Sequence, residues 1–416
     1  MSILFNDVVI NKQAGGLGRR LPNQDMISGL LFNGADTTKT VEGTTEPLLE
    51  DGKLYRIVSL EDAIGLGITP EYDKEHESAY YQVSQYFRLN PSGDLFLYKN
   101  STAKSYAALV ADAEEMQRQA NGEIRQLAVI FKGNDEAKSK SKAADSSAVV
   151  PTFDQTKKAI EAAKTVTEKA FTDNRPFEVI LEGKGFDASK EPVKLDEMNA
   201  ENVSVVVAMD EEVAKMDNYS NTAAVGVLLG AISLAKVSEN IAWIEKFNLT
   251  GEGFRSVGFV GGSQLVTEGA QKTLDDRKYI FTRSHIGIPG VYFNDSHTCT
   301  VATSDFTYIE SNRTINKASR LARAALLPKI NAPVLVDPDN GTLPPSVTKG
   351  YETLCRSALE QMVANGEASE IDVFVDPLQN ILSTGILNVK IEVVPTGTAR
   401  RIEVALGFKN PFGING

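Results

Sequence analysis

The sequence predicts an α/β chain (mixed α+β) with several domains, in which mixed sheets are flanked by helices and a β-hairpin lies at the C-terminal end. Three observations predict this class. Strand-like apolar runs alternate with helical periodicity between residues 54 and 283. The run 203–209 is almost entirely apolar, which is typical of a strand covered on both faces. Two segments, 387–393 and 401–408, carry apolar side chains at every second position, which indicates half-buried strands.

The elements between these landmarks follow from periodicity and from turn residues. Helix 74–89 is indicated by aromatic and apolar side chains at three- and four-residue steps, and Asn90-Pro91 ends it. Helix 221–237 is rich in small residues, which favours close packing. The other predicted helices are 101–120, 152–171, 263–275, 311–327 and 346–364. The other predicted strands are 2–10, 54–60, 94–99, 124–131, 177–182, 254–260, 279–283, 334–337 and 371–375.

The C-terminal hairpin is predicted from two alternating segments. One face of each segment is apolar, and the link 394–399 contains the turn residues proline and glycine. An isolated two-stranded hairpin is marginally stable, so strands from this chain or from a neighbouring copy are expected to complete its sheet. The C-terminal residues expected to take part are Leu387, Val389, Ile391, Val393, Ile402, Val404, Leu406 and Phe408.

The N-terminal end offers a second strand for such pairing. Residues 2–10 form an apolar run on a glycine-rich joint, and a tethered terminal strand is suited to pairing away from its own domain. The residues expected to pair are Ile3, Leu4, Phe5, Val8 and Val9, and the hinge residues are Gly15, Gly16 and Gly18. A frayed terminus is the alternative. We therefore divide the chain into a linker strand and joint (1–20), an α/β domain with an exposed insertion around 134–147 (21–280), and a C-terminal domain ending in the hairpin (281–416).

Composition excludes several classes of function. With 416 residues and 42% apolar content, the chain has room for two or three domains with sizeable cores. A net charge of −12 argues against a protein that coats nucleic acid, because phosphate binding needs a basic surface. Cys299 and Cys355 supply no disulfide framework and are interpreted as buried thiols in a reducing compartment. No run has transmembrane length and no signal peptide is visible, so synthesis in the cytoplasm without membrane insertion is expected.

The sequence offers little for catalysis. Gly261-Gly262-Ser263 follows a predicted strand and opens a predicted helix, so its amides could hold a small anion or nucleotide, although an ordinary turn is favoured. His285, His297 and Cys299 are close in sequence but lack the paired spacing of a zinc site. The chain has three histidines, and none lies in a triad context. We therefore predict a protein that is not an enzyme and that needs no cofactor or metal.

Helix 311–327 carries a basic face. Arg313, Lys317 and Arg320 follow one another at steps of four and three residues, which places them on one side of a helix. A solvated or internally paired face is the alternative to contact with an acidic partner. Lys349 and Arg356 add cations on the next predicted helix.

The order of several short phrases resembles that of the sheath subunits of contractile phage tails and contractile injection systems, in a divergent branch. After the terminal strand and glycine joint come Tyr55-Arg-Ile-Val-Ser-Leu-Glu-Asp-Ala63, the helix around Tyr80–Phe87 and the strand Asp94–Tyr98. Gly290-Val-Tyr-Phe-Asn-Asp295, Ile309-Glu-Ser-Asn-Arg313 and a Val394-Pro395 link follow. The resemblance covers nearly the whole chain and is weakest in 130–200.

The resemblance implies structural work without catalysis. It implies a homo-oligomer of hexameric rings stacked helically around an inner tail tube, with terminal strands joined to the C-terminal sheets of neighbours. Contraction would rearrange a metastable extended lattice into a compact one. Implied partners are the tube, baseplate and tail terminator proteins, with no nucleic acid, and the implied location is a virion tail or injection apparatus assembled in the bacterial cytoplasm. Arg313, Lys317, Arg320, Lys349 and Arg356 are the candidate tube contacts. The alternative function is an α/β enzyme that binds a small anion or nucleotide near Gly261–Ser263.

Overall fold

The computed structural model describes residues 24–41, 44–74, 78–132, 153–262 and 267–409. The predicted strand 2–10, the glycine joint 15–18, the insertion 134–147 and Ser263 lie outside these described residues. The described strands are β1 (Ile27–Phe32), β2 (Thr37–Val41), β3 (Thr44–Leu49), β4 (Leu54–Ile57), β5 (Asp94–Lys99), β6 (Gln126–Ile130), β7 (Glu178–Glu182), β8 (Val203–Val206), β9 (Ala208–Met209), β10 (Gly258–Phe259), β11 (Thr282–His285), β12 (Ile288–Phe293), β13 (Ala368–Phe374) and β14 (Lys390–Pro395).

The described α-helices overlap every predicted helix and also include helices that the sequence did not predict. The described helices are α1 (Leu60–Gly65), α2 (Pro70–Lys74), α3 (Ala79–Leu89), α4 (Tyr106–Ala111), α5 (Ala113–Gln119), α6 (Asp154–Thr172), α7 (Glu211–Ala214), α8 (Val225–Leu234), α9 (Glu268–Asp276), α10 (Ile309–Leu326), α11 (Pro345–Ala364) and α12 (Ile381–Thr384). Ser59, Ser105 and Thr267 precede α1, α4 and α9, and each side-chain oxygen accepts a backbone N–H of the first turn. Among the described residues, no helix combines the length and hydropathy that a membrane span requires.

A mixed sheet with the strand order β4-β5-β1-β6-β7-β8 forms the centre of the larger part of the fold. β4 runs antiparallel to β5, and the other neighbouring pairs are parallel. Helices flank this sheet, with α3 packed on α8 and α4 packed on α6. This arrangement confirms the predicted fold class. β1 is buried along its whole length between β5 and β6, although no strand is predicted there from the sequence.

Small residues on α8 allow close contact with α3. A Cβ atom added to Gly226 would lie 2.1 Å from the carbonyl oxygen of Gln82, and one added to Gly230 would lie 3.1 Å from that of Tyr86. The Gln82 side chain also accepts a hydrogen bond from the Gly226 amide at 2.6 Å. The small-residue pattern of helix 221–237 therefore corresponds to a helix pair whose backbones nearly touch.

The antiparallel pair at the C-terminal end differs from the predicted hairpin. β14 pairs with β13, with Ile371 opposite Val393 and Val373 opposite Ile391. The predicted pairing of 387–393 with 402–408 is wrong, and residues 401–409 form no strand within the described chain. The alternation set which face of β14 is apolar, but alternation alone does not select a partner. The strand predicted at 334–337 is also absent, and helix 263–275 begins at Glu268 instead.

Two separate hydrophobic clusters organise the packing. The larger cluster covers the central sheet and its helices and continues through Tyr279 and Phe293 to Ile309. The smaller cluster joins α10 and α11 to the β13–β14 pair, with Cys355, Leu359 and Met362 among its members. The packing therefore continues across residue 280, and the predicted division into domains stays a prediction.

Candidate functional site

Among the described residues, the β13–β14 pair has one covered face and two open edges. Ile371 and Val373 are 5% exposed and pack on α11, because the residues of β13 alternate between the smaller cluster and solvent. Of the predicted exchange residues, Leu387, Val389, Ile391 and Val393 are half-buried, and the last three pack against this same cluster. Within the described residues neither outer edge of the pair has a further strand. The backbone groups along these edges are thus open to an additional strand.

The segment 396–409, which we call the C-terminal arm, leaves this sheet with its apolar side chains exposed. Ile402, Val404, Leu406 and Phe408 are 80%, 79%, 95% and 110% exposed. They alternate with Arg401 and Glu403, which pair with each other at 2.7 Å. A run of this pattern has a strand's two faces but no covering partner among the described residues, so it is suited to adding a strand to another sheet.

The root of the arm is fixed by Arg400. Its Nε donates to Asp295 Oδ2 at 2.9 Å, and a terminal nitrogen donates to Glu310 Oε1 at 2.5 Å. Asp295 and Glu310 are 8% and 6% exposed, and the side chain of Arg400 is 31% exposed. Burial acts to lower the pKa of Arg400, but the charges of Asp295 and Glu310 outweigh it and raise that pKa. The guanidinium therefore stays cationic in this position.

Asn240 completes the surroundings of this ion pair. Its amide nitrogen donates to Asp295 Oδ1 at 2.5 Å and to Glu310 Oε1 at 3.1 Å. The Ser296 hydroxyl also donates to the Glu310 carboxylate. Neutral donors thus hold both acids in place. Arg400 binds the second oxygen of Asp295, and it shares Oε1 of Glu310 with Asn240.

A groove of about 1020 Å³ runs beside the root of the arm. Its lining includes Trp243, Ile288, Thr398 and Arg400. Trp243, the single tryptophan of the chain, is 48% exposed, and Ile288 is 45% exposed. The apolar surface of the arm therefore continues onto the body of the protein.

The predicted basic face of α10 is paired within the chain. Lys317 Nζ lies 2.7 Å from Asp25 Oδ2 and 2.7 Å from Glu367 Oε1, and Arg320 lies 2.7 Å from Asp25 Oδ1. Burial acts to raise the pKa of Asp25, but the hydrogen bond and charge of Lys317 outweigh it, with further help from Arg320 and Arg313, and lower that pKa.

Arg313 is 4% exposed and donates to the carbonyl oxygens of Asp25, Ala235 and Lys236. The side chains of Lys349 and Arg356 are 75% and 54% exposed, so they are the solvent-facing members of the candidate tube contacts. Tube contact by any member of this set stays a prediction.

Within the described residues, the glycine turn does not lead into a helix N-terminus that could hold an anion. Gly261 and Gly262 have φ of 79° and 66°, and the next described helix, α9, begins at Glu268. The buried His297 has its Nε2 2.9 Å from Oδ1 of Asp275, whose side chain is 45% exposed, and Cys299 is fully buried. Among the described residues, no group of three acidic, histidine or cysteine side chains is arranged to hold a metal ion. The enzyme alternative therefore has no support from this region.

Comparison with known proteins places the chain in a family. A family model described as DUF2586, N-terminal domain, matches residues 5–297, and one described as DUF2586, C-terminal domain, matches residues 305–413. The chain belongs to the DUF2586 family. No curated protein matches it.

Solved structures of contractile machines resemble this DUF2586 chain over nearly its full length. A chain of the anti-feeding prophage baseplate is 16% identical, with a TM-score of 0.61 over 98% of this chain and 100% of that one. A chain of the contracted helical sheath of the anti-feeding prophage is 15% identical, with a TM-score of 0.58 over 98% and 99%. A chain of the contracted sheath complex of PVC, an extracellular contractile injection system, is 13% identical, with a TM-score of 0.57 over 98% and 99%. The DUF2586 chain thus has the fold of contractile sheath proteins, which confirms the resemblance predicted from sequence.

Sequence reasoning missed the anchoring residues Asp25, Asp295, Glu310 and Arg400. One signal was present, because Glu310, Arg313, Lys317 and Arg320 follow one another at steps of three, four and three residues. Four charges at a spacing normally occupied by apolar residues indicate a helix face that is either solvated or paired with opposite charges from elsewhere in the chain. The sequence does not identify those partners.

Proposed function

We propose that this chain is a structural subunit of a contractile sheath, which polymerises as stacked hexameric rings around an inner tube and contracts to drive the tube through a target envelope. The observation that carries the proposal is the C-terminal arm, whose exposed alternating apolar face lies beside a sheet with open edges. The likeness in fold to contractile sheath proteins supports it over 98% of the chain.

Neighbouring copies are joined by strand exchange in this proposal. The arm of one copy adds to the open β13–β14 pair of another, so that main-chain hydrogen bonds supply strength while Ile402, Val404 and Leu406 find a covered face. Full burial of one such side chain is worth about 1.5–3 kcal/mol. The predicted strand 2–10 is the second donor, with Gly15, Gly16 and Gly18 as its hinge. Such links persist while the bodies of the subunits change their packing during contraction.

The partners in this proposal are further copies of the chain, an inner tube protein, and baseplate and terminator proteins. The location is the tail of a virion or an injection apparatus, assembled in the bacterial cytoplasm. Its work is mechanical, with neither catalysis nor a cofactor. Lys349 and Arg356 are the proposed exposed cations toward the tube.

Negative-stain electron microscopy of the concentrated full chain, alone and with its tube and baseplate proteins, tests the function. We expect hollow striated cylinders of uniform width. A chain lacking residues 1–20 is expected to stay folded and soluble but to form no cylinders. Compact single particles from the full chain in the presence of tube and baseplate would overturn the proposal.

Paired substitutions on the arm test the strand exchange itself. Val404→Asp with Leu406→Asp places charges on the apolar face, and we expect cylinders to be lost because a buried unpaired carboxylate is costly. The matched control changes the other face, with Glu403→Gln and Ala405→Ser, and is expected to assemble normally. Both residues of each pair are exposed in the single chain, so circular dichroism melting should be unchanged in both variants. Normal cylinders from the aspartate variant would refute exchange through this arm.

A further inference from the structure

One side of α10 buries four charged side chains next to its apolar contacts. Glu310, Arg313, Lys317 and Arg320 lie on one side of this helix, because steps of three, four and three residues return to the same face. Glu310 and Arg313 are buried, and the side chains of Lys317 and Arg320 are 16% and 17% exposed. Charges are rarely buried unless they are paired, so each of these residues must have a partner from another part of the chain.

The acidic end of this face holds the C-terminal arm. Glu310 in the first turn of α10 and Asp295 in the preceding loop accept two separate nitrogens of Arg400. Because the guanidinium is planar and its two donors are bound by different acids, its orientation is fixed as well as its position. This contact lies at the root of the arm, directly before the exposed residues 401–409.

The basic end of the face holds the other end of the described chain. Asp25 lies just before β1, and its two carboxylate oxygens accept Lys317 and Arg320 separately. Arg313 donates to the backbone carbonyl of the same residue at 3.3 Å. Lys317 also pairs with Glu367, the residue before β13, so the same lysine ties down the start of the C-terminal sheet.

We infer that α10 is a clamp for both ends of the described part of the chain. Glu310 with Asp295 positions Arg400, and Lys317 with Arg320 positions Asp25. The inference rests on the proposed function for its consequence, which is that force applied to the C-terminal arm of a sheath subunit is transmitted through this helix to the segment around Asp25. Seven residues separate Glu310 from Lys317, so the two binding points are about 10 Å apart along the helix axis. Buried ion pairs are suited to fixing the two segments on the helix because their hydrogen bonds are directional. Removal of one partner also leaves a buried charge unpaired.

The clamp on the C-terminal arm is tested in the soluble chain, independently of any assembly. Spin labels on Ala405→Cys and Glu161→Cys report the distance between the arm and the exposed surface of α6. The native Cys299 and Cys355 are buried, which restricts labelling to the introduced cysteines. In the wild-type background Arg400 shortens the free tether before residue 405 from about ten residues to about five. Its loss in Arg400→Gln should widen the distance distribution about 1.4-fold, the square root of the change in length.

The adjacent arginine provides a matched control. Arg401 is exposed and pairs only with the neighbouring Glu403 among the described residues, so Arg401→Gln should leave the distribution at its wild-type width. Arg400→Lys keeps the charge but loses the two guanidinium donors that bind separate acids. We expect a distance distribution of intermediate width and unchanged thermal stability. Equal widths in wild type, Arg400→Gln and Arg400→Lys would overturn the clamp.

The clamp on Asp25 is tested by hydrogen exchange. Asp25→Asn removes the charge that Lys317 and Arg320 share, and we expect faster amide exchange in the peptide 24–32 and in the peptide that begins at Glu367. Asp305→Asn, which alters an exposed acid, should leave both peptides at wild-type rates. Wild-type exchange in Asp25→Asn would overturn this half of the inference.

Assembly separates the clamp from the proposed function. If the wild type forms cylinders, Arg400→Gln should raise the concentration needed for their formation about tenfold or more, because additional arm residues must be ordered on binding. Arg401→Gln should not raise it. If the wild type forms none while Arg400→Gln still widens the label distances, the positioning of the arm stands and the sheath function fails.

Discussion

The guanidinium carbon of Arg400 lies 3.4 Å from the centre of the Tyr308 ring, at the residue that precedes the first turn of α10. A cation over the face of an aromatic ring is attracted by the negative charge of that face. The root of the C-terminal arm is therefore held from three directions, by the ring and by the carboxylates of Asp295 and Glu310.

Replacement of Tyr308 by leucine removes the ring while keeping an apolar side chain. We expect the arm root to exchange its amides faster and the free energy of unfolding to fall by about 0.5–2 kcal/mol. Urea unfolding and hydrogen exchange of residues 396–400 measure the two effects. Tyr308→Phe keeps the ring and should behave as wild type. If the phenylalanine variant were destabilised as much as the leucine variant, the ring contact would not explain the loss of stability.

Replacement of Gly226 by alanine should destabilise the contact between α8 and α3. The added Cβ would lie 2.1 Å from the carbonyl oxygen of Gln82, which is backbone and has little room to move. Such overpacking costs about 1–3 kcal/mol or more in urea unfolding. Gly269 on α9 is the matched control because nothing lies within 4 Å of its added Cβ, and Gly269→Ala should stabilise the chain by up to about 1 kcal/mol. Equal effects at both positions would contradict this packing.

Glu178 on β7 makes the stability of the chain depend on pH. It is 2% exposed, accepts a hydrogen bond from Asn316 at 2.9 Å, and its other carboxylate oxygen has no hydrogen-bond partner among the described residues. Burial raises the pKa of Glu178 well above its ordinary value, against the opposing charge of Arg313 and the Asn316 hydrogen bond.

The direction of this pH dependence follows from how tightly the folded and unfolded states bind the proton. Between its unfolded and folded pKa values the folded chain binds the Glu178 proton more tightly, so its contribution to stability falls as pH rises through that window. Glu178→Gln cannot titrate, and we expect its free energy of unfolding to decline less than that of wild type between pH 5 and pH 8, roughly from the ordinary glutamate pKa upward. Urea unfolding across this range measures the difference. Glu370→Gln removes an exposed carboxylate and should follow the wild type; parallel curves for all three proteins would contradict the prediction.

The two cysteines should be unreactive in the folded chain. Cys299 and Cys355 are both 0% exposed, and burial raises the pKa of each thiol. Since the thiolate is the reactive form, we expect no reaction with a disulfide reagent at pH 8 until denaturant is added, after which both thiols react. Rapid reaction of one thiol in the native chain would contradict this prediction and show that the packing around that thiol opens easily.

The local sequence pattern was sufficient to predict many of the strands and helices. The apolar runs predicted β5 to β8 within a few residues, and the small-residue helix proved to be α8 in close contact with α3. β1 was missed although Ile27–Phe32 is largely apolar and an Asn-Gly turn signal follows it. A short apolar run does not by itself show whether it is a strand or where in a sheet it pairs. The place of β1 between β5 and β6 depends on parallel pairing with strands far along the chain.

The sequence by itself determined the α/β class, the apolar face of β14 and the alternating arm at 402–408, because side-chain periodicity is a local property. Only the tertiary structure decided which segments meet. It paired β14 with β13, and it turned the basic face of α10 inward against Asp25 and Glu367. It also placed Arg400 between Asp295 and Glu310. Strand pairing and buried ion pairs depend on contacts between residues distant in sequence. A local pattern therefore does not show which residue of opposite charge will form the ion pair.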